Sequence, residues 1–465
     1  MNSPQLQAIS NVDNPGTILA YSPDGPISAA RFQADSRRLA ELLRTAYPDQ
    51  HHILNICQDR YHFMVGLAAS LVTGKISLLP ASHTAETVRQ LRVIAPDVFC
   101  LHDGEGTAVD FPQIAYPAAL AAATDEPAAP LPPIPANRVA AYVYTSGSTG
   151  APVPHRKTWG ALVQNAAAEV AQLGLREQPH SIVATVPPQH MYGFESTVLL
   201  CLFGNCPVWS GQPFYPADIA RALAAIPRPR LLVTTPFHLR TLLNSGVAIP
   251  AIDRILSATA PLSVELACHA EQQLGAPVHE IYGCTETGQI ASRQVTVSPA
   301  WRLMADIRLH EEDGTVIASG GHVEGHVLLN DVLELHADGN FLLLGRQADL
   351  INIAGKRTSL AYLNQQLLAI DQVEDGSFFM PDENTGNDIT RLCAIVVAPQ
   401  MNQRQLLAAL RQRVDAAFLP RPLIFVERMP RNANGKITRA SLAALIEQHR
   451  SELAARHQMT ADSAE

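Results

Sequence analysis

No Cys-x-x-Cys pair occurs among the seven cysteines. Their odd number and scatter speak against a disulfide framework and against a thiolate metal site. Cys201 and Cys206 lie near each other, but reduced thiols are the plain reading. A membrane span is also missing. The most apolar run, FMVGLAASLVTG, stops at Gly74 before Lys75, too short to cross a bilayer, and reads as a buried helix. The N-terminus, MNSPQLQAISNVDN, has no charged segment followed by an apolar one, so no signal peptide, a cytoplasmic location and no membrane insertion are expected. Nor is there a block of like charge. With Lys plus Arg at 34 against 43 for Asp plus Glu, nothing in the chain suits a polyanion, and no nucleic-acid partner is expected. What remains, 47% hydrophobic and 17% charged residues over 465 positions, is a globular composition too long for one small core. Two domains are expected.

Residues 117–135 are rich in Ala and Pro and read either as a linker or as a surface connection within one domain. Beyond them, β-like runs (SIVATVPP, RLLVTTP, RILSATAP, PVHEIYG) end in Pro, Gly or Thr and alternate with helical patterns such as ALVQNAAAEVAQLG. That alternation predicts an α/β domain with a largely parallel sheet, whose ligands collect at the carboxyl ends of the strands. Between residues 300 and 345, DG and GG turns separate short alternating runs and predict antiparallel hairpins. From Arg346 onward a smaller α+β unit is expected, with helices near 359–370 and 402–417 and a strand at LIFVERMP.

The stretch YTSGSTGAPVPHRKTW passes from an apolar run into small hydroxyl and glycine residues. Taken alone, Thr145, Ser146, Gly147, Ser148, Thr149 and Gly150 could form an anion-holding nest of backbone N–H groups, or an ordinary Ser/Gly turn. Four further stretches follow in order: PPQHMYG, IYGCTETG, Asp331 with HADGNFLLLGR, and PRNANGK. Together the series resembles the adenylate-forming superfamily of acyl- and aryl-CoA synthetases, peptide-synthetase adenylation domains and luciferases, over roughly residues 140–440. In that family the Ala/Pro-rich run precedes the phosphate loop inside the large domain.

The resemblance implies a fold and a reaction. The fold would be a large N-terminal domain over 1–346, layered α/β with a small β-barrel-like part, and a small mobile C-terminal α+β domain over 347–465. The reaction would join a carboxylate to the α-phosphate of ATP, expel pyrophosphate, and pass the acyl group to the thiol of CoA or of carrier-protein phosphopantetheine. Both reactants are anionic, so cations, Mg²⁺ and oriented donors are required. By resemblance, the 145–150 loop would hold the β- and γ-phosphates and Tyr282 would stack on adenine beside Gly283. Thr285 would touch the α-phosphate, and Glu286 would hold Mg²⁺. The strand end Ser257, Ala258, Thr259, Ala260 would line the adenine and acyl pockets. Asp331 and Arg346 would hold the ribose, and Arg357 would reach phosphate. Lys436 would be the mobile catalytic lysine, and His190 would lie beside the acyl carboxylate. Tyr192, Phe194 and Phe237 would wall a flat apolar pocket, which favours a small aryl acid. Compact length and GKRTSLAYLN also resemble bacterial ligases that prime aryl-polyene or xanthomonadin-type pigment synthesis with hydroxybenzoate-like acids.

Two positions depart from the family pattern. Val153 stands where the loop usually has lysine, and His155, Arg156 and Lys157 come slightly later, so Lys157 is expected to supply the missing charge to ATP. Ala348, followed by Asp349, stands at the hinge position. Two alternatives stay open: a stand-alone loader of a carrier protein that ignores CoA, and a degenerate nucleotide-binding protein without catalysis.

Overall fold

A computed structural model describes residues 5–80, 85–104, 109–117, 130–146, 152–346, 350–353, 356–381, 391–431 and 437–449. The chain divides into two units, residues 1–328 with 337–340, and residues 329–336 with 341–465.

The first unit is built on two sheets. The expected runs become the strands Ser181–Ala184, Arg230–Thr234, Arg254–Ser257 and Val278–Cys284, neighbours paired in parallel within a nine-stranded sheet. Two antiparallel strands, Gly288–Arg293 and Arg302–Leu303, extend one edge. Apolar residues from these strands and from helices Pro216–Ala225, Pro236–Leu243 and Val264–Leu274 form one core, including Leu223, Leu232, Leu239, Ile255 and Ala267.

The second sheet has six strands. His52–Asn55 pairs in parallel with Ile76–Leu79 and Phe99–His102, and Ile76–Leu79 pairs with Val139–Ser146. Pro152–Thr158 then returns antiparallel along Val139–Ser146. The run read as a buried helix is one: Arg60–Thr73, capped by the Asp59 carboxylate at its start and by Gly74 at φ +76° at its end. Among the described residues no helix is long and apolar enough to cross a membrane. Within the segment 300–345, expected to form antiparallel hairpins, Ile307–Glu312, Thr315–Gly320 and Val323–Leu328 make a three-stranded antiparallel sheet.

The second unit is α+β. Its hairpin pairs Asp331–Leu335 with Phe341–Arg346, and a three-stranded sheet joins Asp375–Phe379, Cys393–Val397 and Leu423–Phe425. Helix Leu360–Leu368 buries Leu363 and Leu367 in its core. The helix expected over 402–417 is shorter. It runs from Gln403 to Arg411, started by a reciprocal Asn402–Gln405 capping box, and Asp415 then accepts from Ala417 N–H to begin a separate 3₁₀ turn. A local side-chain acceptor wins over continued helix.

Candidate active site

The strands on either side of the Ser/Thr/Gly stretch pair antiparallel. Thr145 pairs with Val153 and Ser146 with Pro152. The backbone of Thr145 and Ser146 ends the outgoing strand. Gly147, Ser148, Thr149 and Gly150 lie outside the described residues, as do Lys436, Ala348 and Asp349, and the side chains of Arg346 and Arg357.

On the returning strand, alternation puts His155 and Lys157 on one face and Arg156 on the other. The exposed Arg156 ion-pairs with Glu324 at 3.3 Å, and the other oxygen of Glu324 accepts from Thr158 N–H. His155 and Lys157 both meet Glu286. His155 Nε2 is 3.7 Å from the Glu286 carboxylate, and Lys157 Nζ donates to the Glu286 backbone carbonyl at 2.7 Å. Lys157 is only 6% exposed. Burial lowers its pKa.

Glu286 sits in the turn between Val278–Cys284 and Gly288–Arg293. Thr287 Oγ1 closes that turn, accepting from Cys284 N–H at 3.2 Å and donating to the Gly288 carbonyl at 2.8 Å. Two glycines are required here. A Cβ on Gly283 would stand 2.1 Å from the Gly288 carbonyl oxygen, and Gly288 has φ +75°. Thr285 and Glu286 are thereby presented half exposed on a tight, pinned turn.

Among the described residues no group of three or more His, Cys, Asp or Glu forms a metal cage. Mg²⁺ is commonly held by one or two carboxylates together with substrate phosphates. The half-exposed Glu286 carboxylate fits such a role, and the ion would supply positive charge to the phosphates.

Tyr282 is nearly buried, its ring tilted against Trp301 at 5.5 Å, and Arg293 lies over Trp301 at 4.3 Å while pairing with Glu280 at 2.7 Å. Glu280 also accepts from Leu262 N–H at 2.9 Å, which fastens the loop after the Arg254–Ser257 strand. In that loop Ser257 and Ala258 are buried, Ala260 is exposed, and Thr259 holds φ +78°. A β-branched residue there is strained, a feature that clusters at ligand sites.

His190 caps the short Met191–Gly193 helix, its Nδ1 accepting from Tyr192 N–H at 3.3 Å. In the neutral ring that leaves the proton on Nε2, a donor suited to a carboxylate. Tyr192 and Phe194 are placed in the core. The Tyr192 hydroxyl donates to the Leu256 carbonyl at 2.9 Å, and Phe194 meets Phe63 edge to face with centroids 6.3 Å apart. Phe237 stays half buried at the start of Pro236–Leu243, edge-on to His238. In the second unit, Asp331 stands opposite Arg346 in the hairpin register.

Sequence reasoning missed a buried polar cluster behind the turn. Glu195 is 2% exposed, accepts from Asn165 at 2.9 Å, and lies where a Cβ on Gly288 would touch it at 2.6 Å. Glu169, wholly buried, accepts from Gln289, which also reaches Ser196 at 2.9 Å. Burial pushes Glu195 up to about 7 against the pull of Lys157, and Glu169 up to about 8. From about pH 4.5, where the unfolded carboxyl ionises, to about pH 8, the folded chain keeps a proton that the unfolded one has lost. Stability from this group is therefore complete below that window and falls as pH rises through it, by at most ~1.4 kcal/mol per pH unit. Glu169→Gln is expected to flatten that slope in urea unfolding between pH 5 and 8. Equal slopes in variant and wild type would show that Glu169 ionises without cost.

Three comparisons bear on this geometry. The model of the AMP-binding enzyme family matches residues 11–319. A 4-coumarate–CoA ligase of Halorhodospira halophila is 29% identical over 309 residues, covering 63% of this chain and 73% of that protein. A 2-succinylbenzoate–CoA ligase of Bacillus velezensis is 24% identical and covers 87% of each. Among solved structures, the O-succinylbenzoate coenzyme A synthetase of Bacillus subtilis with ATP and magnesium superposes with TM-score 0.79 at 20% identity, over 94% of this chain and 99% of that one. The mixed α/β architecture described above is thus that of the adenylate-forming enzymes.

Proposed function

We infer that this chain, which belongs to the AMP-binding enzyme family and is an AMP-forming acid–CoA ligase, activates a small aryl acid with ATP and Mg²⁺. The acid's carboxylate attacks the α-phosphate, pyrophosphate leaves, and the acyl-adenylate then gives its acyl group to a thiol with release of AMP. The observation that carries this reading is the meeting of two hairpins. His155 and Lys157, on the strand leaving the phosphate loop, both reach Glu286 of the YGCTETG turn. The strand that follows the Ser/Thr/Gly stretch and the carboxylate turn are thereby joined, in keeping with a reaction between two anions that needs aligned groups.

In this reading the 145–150 loop holds the terminal phosphates, Thr285 the α-phosphate, and Glu286 the metal. Tyr282, Gly283 and the 257–260 strand end form the adenine side. His190 Nε2 addresses the acid's carboxylate, Phe237 borders its ring, and Asp331 with Arg346 holds the ribose. The segment from residue 347 acts as the lid that carries Lys436, with Arg357 reaching phosphate in one orientation. An aryl acid is favoured over an amino acid because Glu195, the one acid in PPQHMYGFEST, is buried and engaged by Asn165. No free anion in that segment faces a substrate amine. Relatives named for 4-coumarate, 2-succinylbenzoate and anthranilate support the aryl class. A hydroxybenzoate is the candidate favoured by the compact length of the chain and the GKRTSLAYLN segment.

The test is acid-dependent ATP–pyrophosphate exchange across aryl, fatty and amino acids, followed by thioester formation with CoA or a phosphopantetheinylated carrier. Benzoate-type acids are expected to exceed long fatty acids and amino acids by about ten-fold or more in kcat/KM, the order that a mismatched pocket contact produces. A preference for an amino acid would overturn the aryl assignment. Thioester formation with the carrier alone would replace CoA as the acceptor.

A further inference from the structure

We propose that Lys157 is a positioning residue that braces the Thr285–Glu286 turn from beneath, and is not a ligand of the ATP phosphates. The inference rests on the functional reading above and concerns what stands in for the lysine that Val153 displaces.

Lysine is scarce in this chain, which places it only at 75, 157, 356 and 436. The two whose side chains are described share one use. Lys75, 5% exposed, donates to the backbone carbonyls of Tyr47 and Gln50, both at 2.5 Å. Lys157 donates to the carbonyl of Glu286, 129 residues away in sequence. Each pins a loop by its main chain, whatever side chains that loop carries.

The surroundings of Lys157 fit a brace. A phosphate ligand needs an ammonium group that can reach outward, whereas Lys157 is nearly buried and its donor is already directed to a carbonyl. The Glu195 carboxylate opposes the effect of burial on its charge, and Asn165 anchors that carboxylate. Glu195 also abuts Gly288, the residue that ends the turn. Lysine and glutamate therefore flank the turn, one holding its carbonyl and the other filling the space behind its last residue. The other two residues of the HRK run are also committed, Arg156 to Glu324 and His155 to the Glu286 carboxylate.

A brace and a phosphate ligand differ in which kinetic constant they move. Loss of a ligand weakens ground state and transition state alike and raises KM, whereas a turn displaced by a fraction of an ångström loses the aligned transition state and lowers kcat. Exchange is to be measured against Mg·ATP concentration for wild type, Lys157→Met and Lys157→Arg, with AMP binding followed by calorimetry. Lys157→Met is expected to lower kcat about ten-fold, with KM for Mg·ATP and the AMP dissociation constant each within about three-fold of wild type. Lys157→Arg, which keeps a donor for the carbonyl, should recover most of the loss. A ten-fold rise in KM with kcat retained would overturn the proposal in favour of a phosphate contact, and unchanged constants would overturn it outright. Should Lys157→Met not fold, Lys157→Met/Glu195→Gln removes both buried charges together and carries the same expectation. Wild-type protein without exchange on any acid would remove the functional reading itself. Wild-type exchange with an unmoved Lys157→Met would remove this inference alone.

Discussion

In Lys436→Ala, acid-dependent pyrophosphate exchange falls by roughly 10²–10³, the usual effect of removing one preorganised donor, while thioester formation from synthetic acyl-adenylate survives. In-line attack brings a carboxylate oxygen against an anionic phosphorus, and charge accumulates as pyrophosphate leaves. A cation that reaches both groups binds that arrangement more strongly than the ground state, which is the condition for accelerating the step. The described residues on either side of Lys436 are Arg431 and Ile437. Arg431 bridges to Ile437 in antiparallel register. Arg431 is itself clamped to both oxygens of Asp375, at 2.8 and 2.5 Å. Arg431 and Ile437 are thereby tied to the second unit, the unit to which Lys436 belongs. If the unit reorients between half-reactions, the lysine serves only the first. Survival of both half-reactions in Lys436→Ala would mark a solvated surface lysine. Equal loss of both would mean one fixed orientation, and the two-orientation mechanism would fall.

The parts of this fold that were legible in the sequence are those where local chemistry and tertiary role agree. Each of the four central strands is an apolar run ended by Pro, Gly or Thr, and the buried helix ends on a glycine that can take φ +76°. The carboxylate turn was legible only through the resemblance of YGCTETG to the family, and the structure adds that its two glycines and Thr287 serve the turn's own geometry. Strands His52–Asn55, Ile76–Leu79 and Phe99–His102 are only four residues each, too short for periodicity to separate them. Lys157 was legible as a charge near the phosphate loop but not as a buried one. Which of His155, Arg156 and Lys157 turns inward depends on the register with Val139–Ser146, set by residues far from the motif. Tyr192 and Phe194 looked like pocket walls because aromatic spacing is the same for a wall and for a core. Only the contacts with Leu256 and Phe63 distinguish them.

Arg60 is the clearest case of a residue that the sequence disguises. An arginine at the first position of a helix reads as a solvated side chain, yet Arg60 is wholly buried. Burial lowers its pKa to about 10, so it remains a cation at neutral pH. Among the described residues no carboxylate lies within ion-pair distance of it. Its donors go to the Val186 carbonyl at 2.5 Å, the Gly211 carbonyl at 3.2 Å and Thr197 Oγ1 at 3.0 Å. Gln189 adds a bond to the Cys57 carbonyl at 2.5 Å. The planar guanidinium fork thus fastens the start of its helix to both ends of the segment that carries His190. Arg60→Met keeps most of the volume and relieves the buried charge, but it leaves two carbonyls and a hydroxyl short of a partner. Each orphaned group costs about 1–3 kcal/mol, so a net loss of ~3 kcal/mol is expected in urea unfolding. The freed segment is expected to lower kcat/KM for the acid by up to about 10²-fold, as a misplaced contact does, with KM for ATP little changed. Arg60→Lys should recover only part of either effect, because an ammonium group cannot span three acceptors in that geometry. An Arg60→Met protein with wild-type stability and wild-type acid kinetics would mean that water replaces the guanidinium at all three acceptors, and that His190 is positioned by its own helix cap alone.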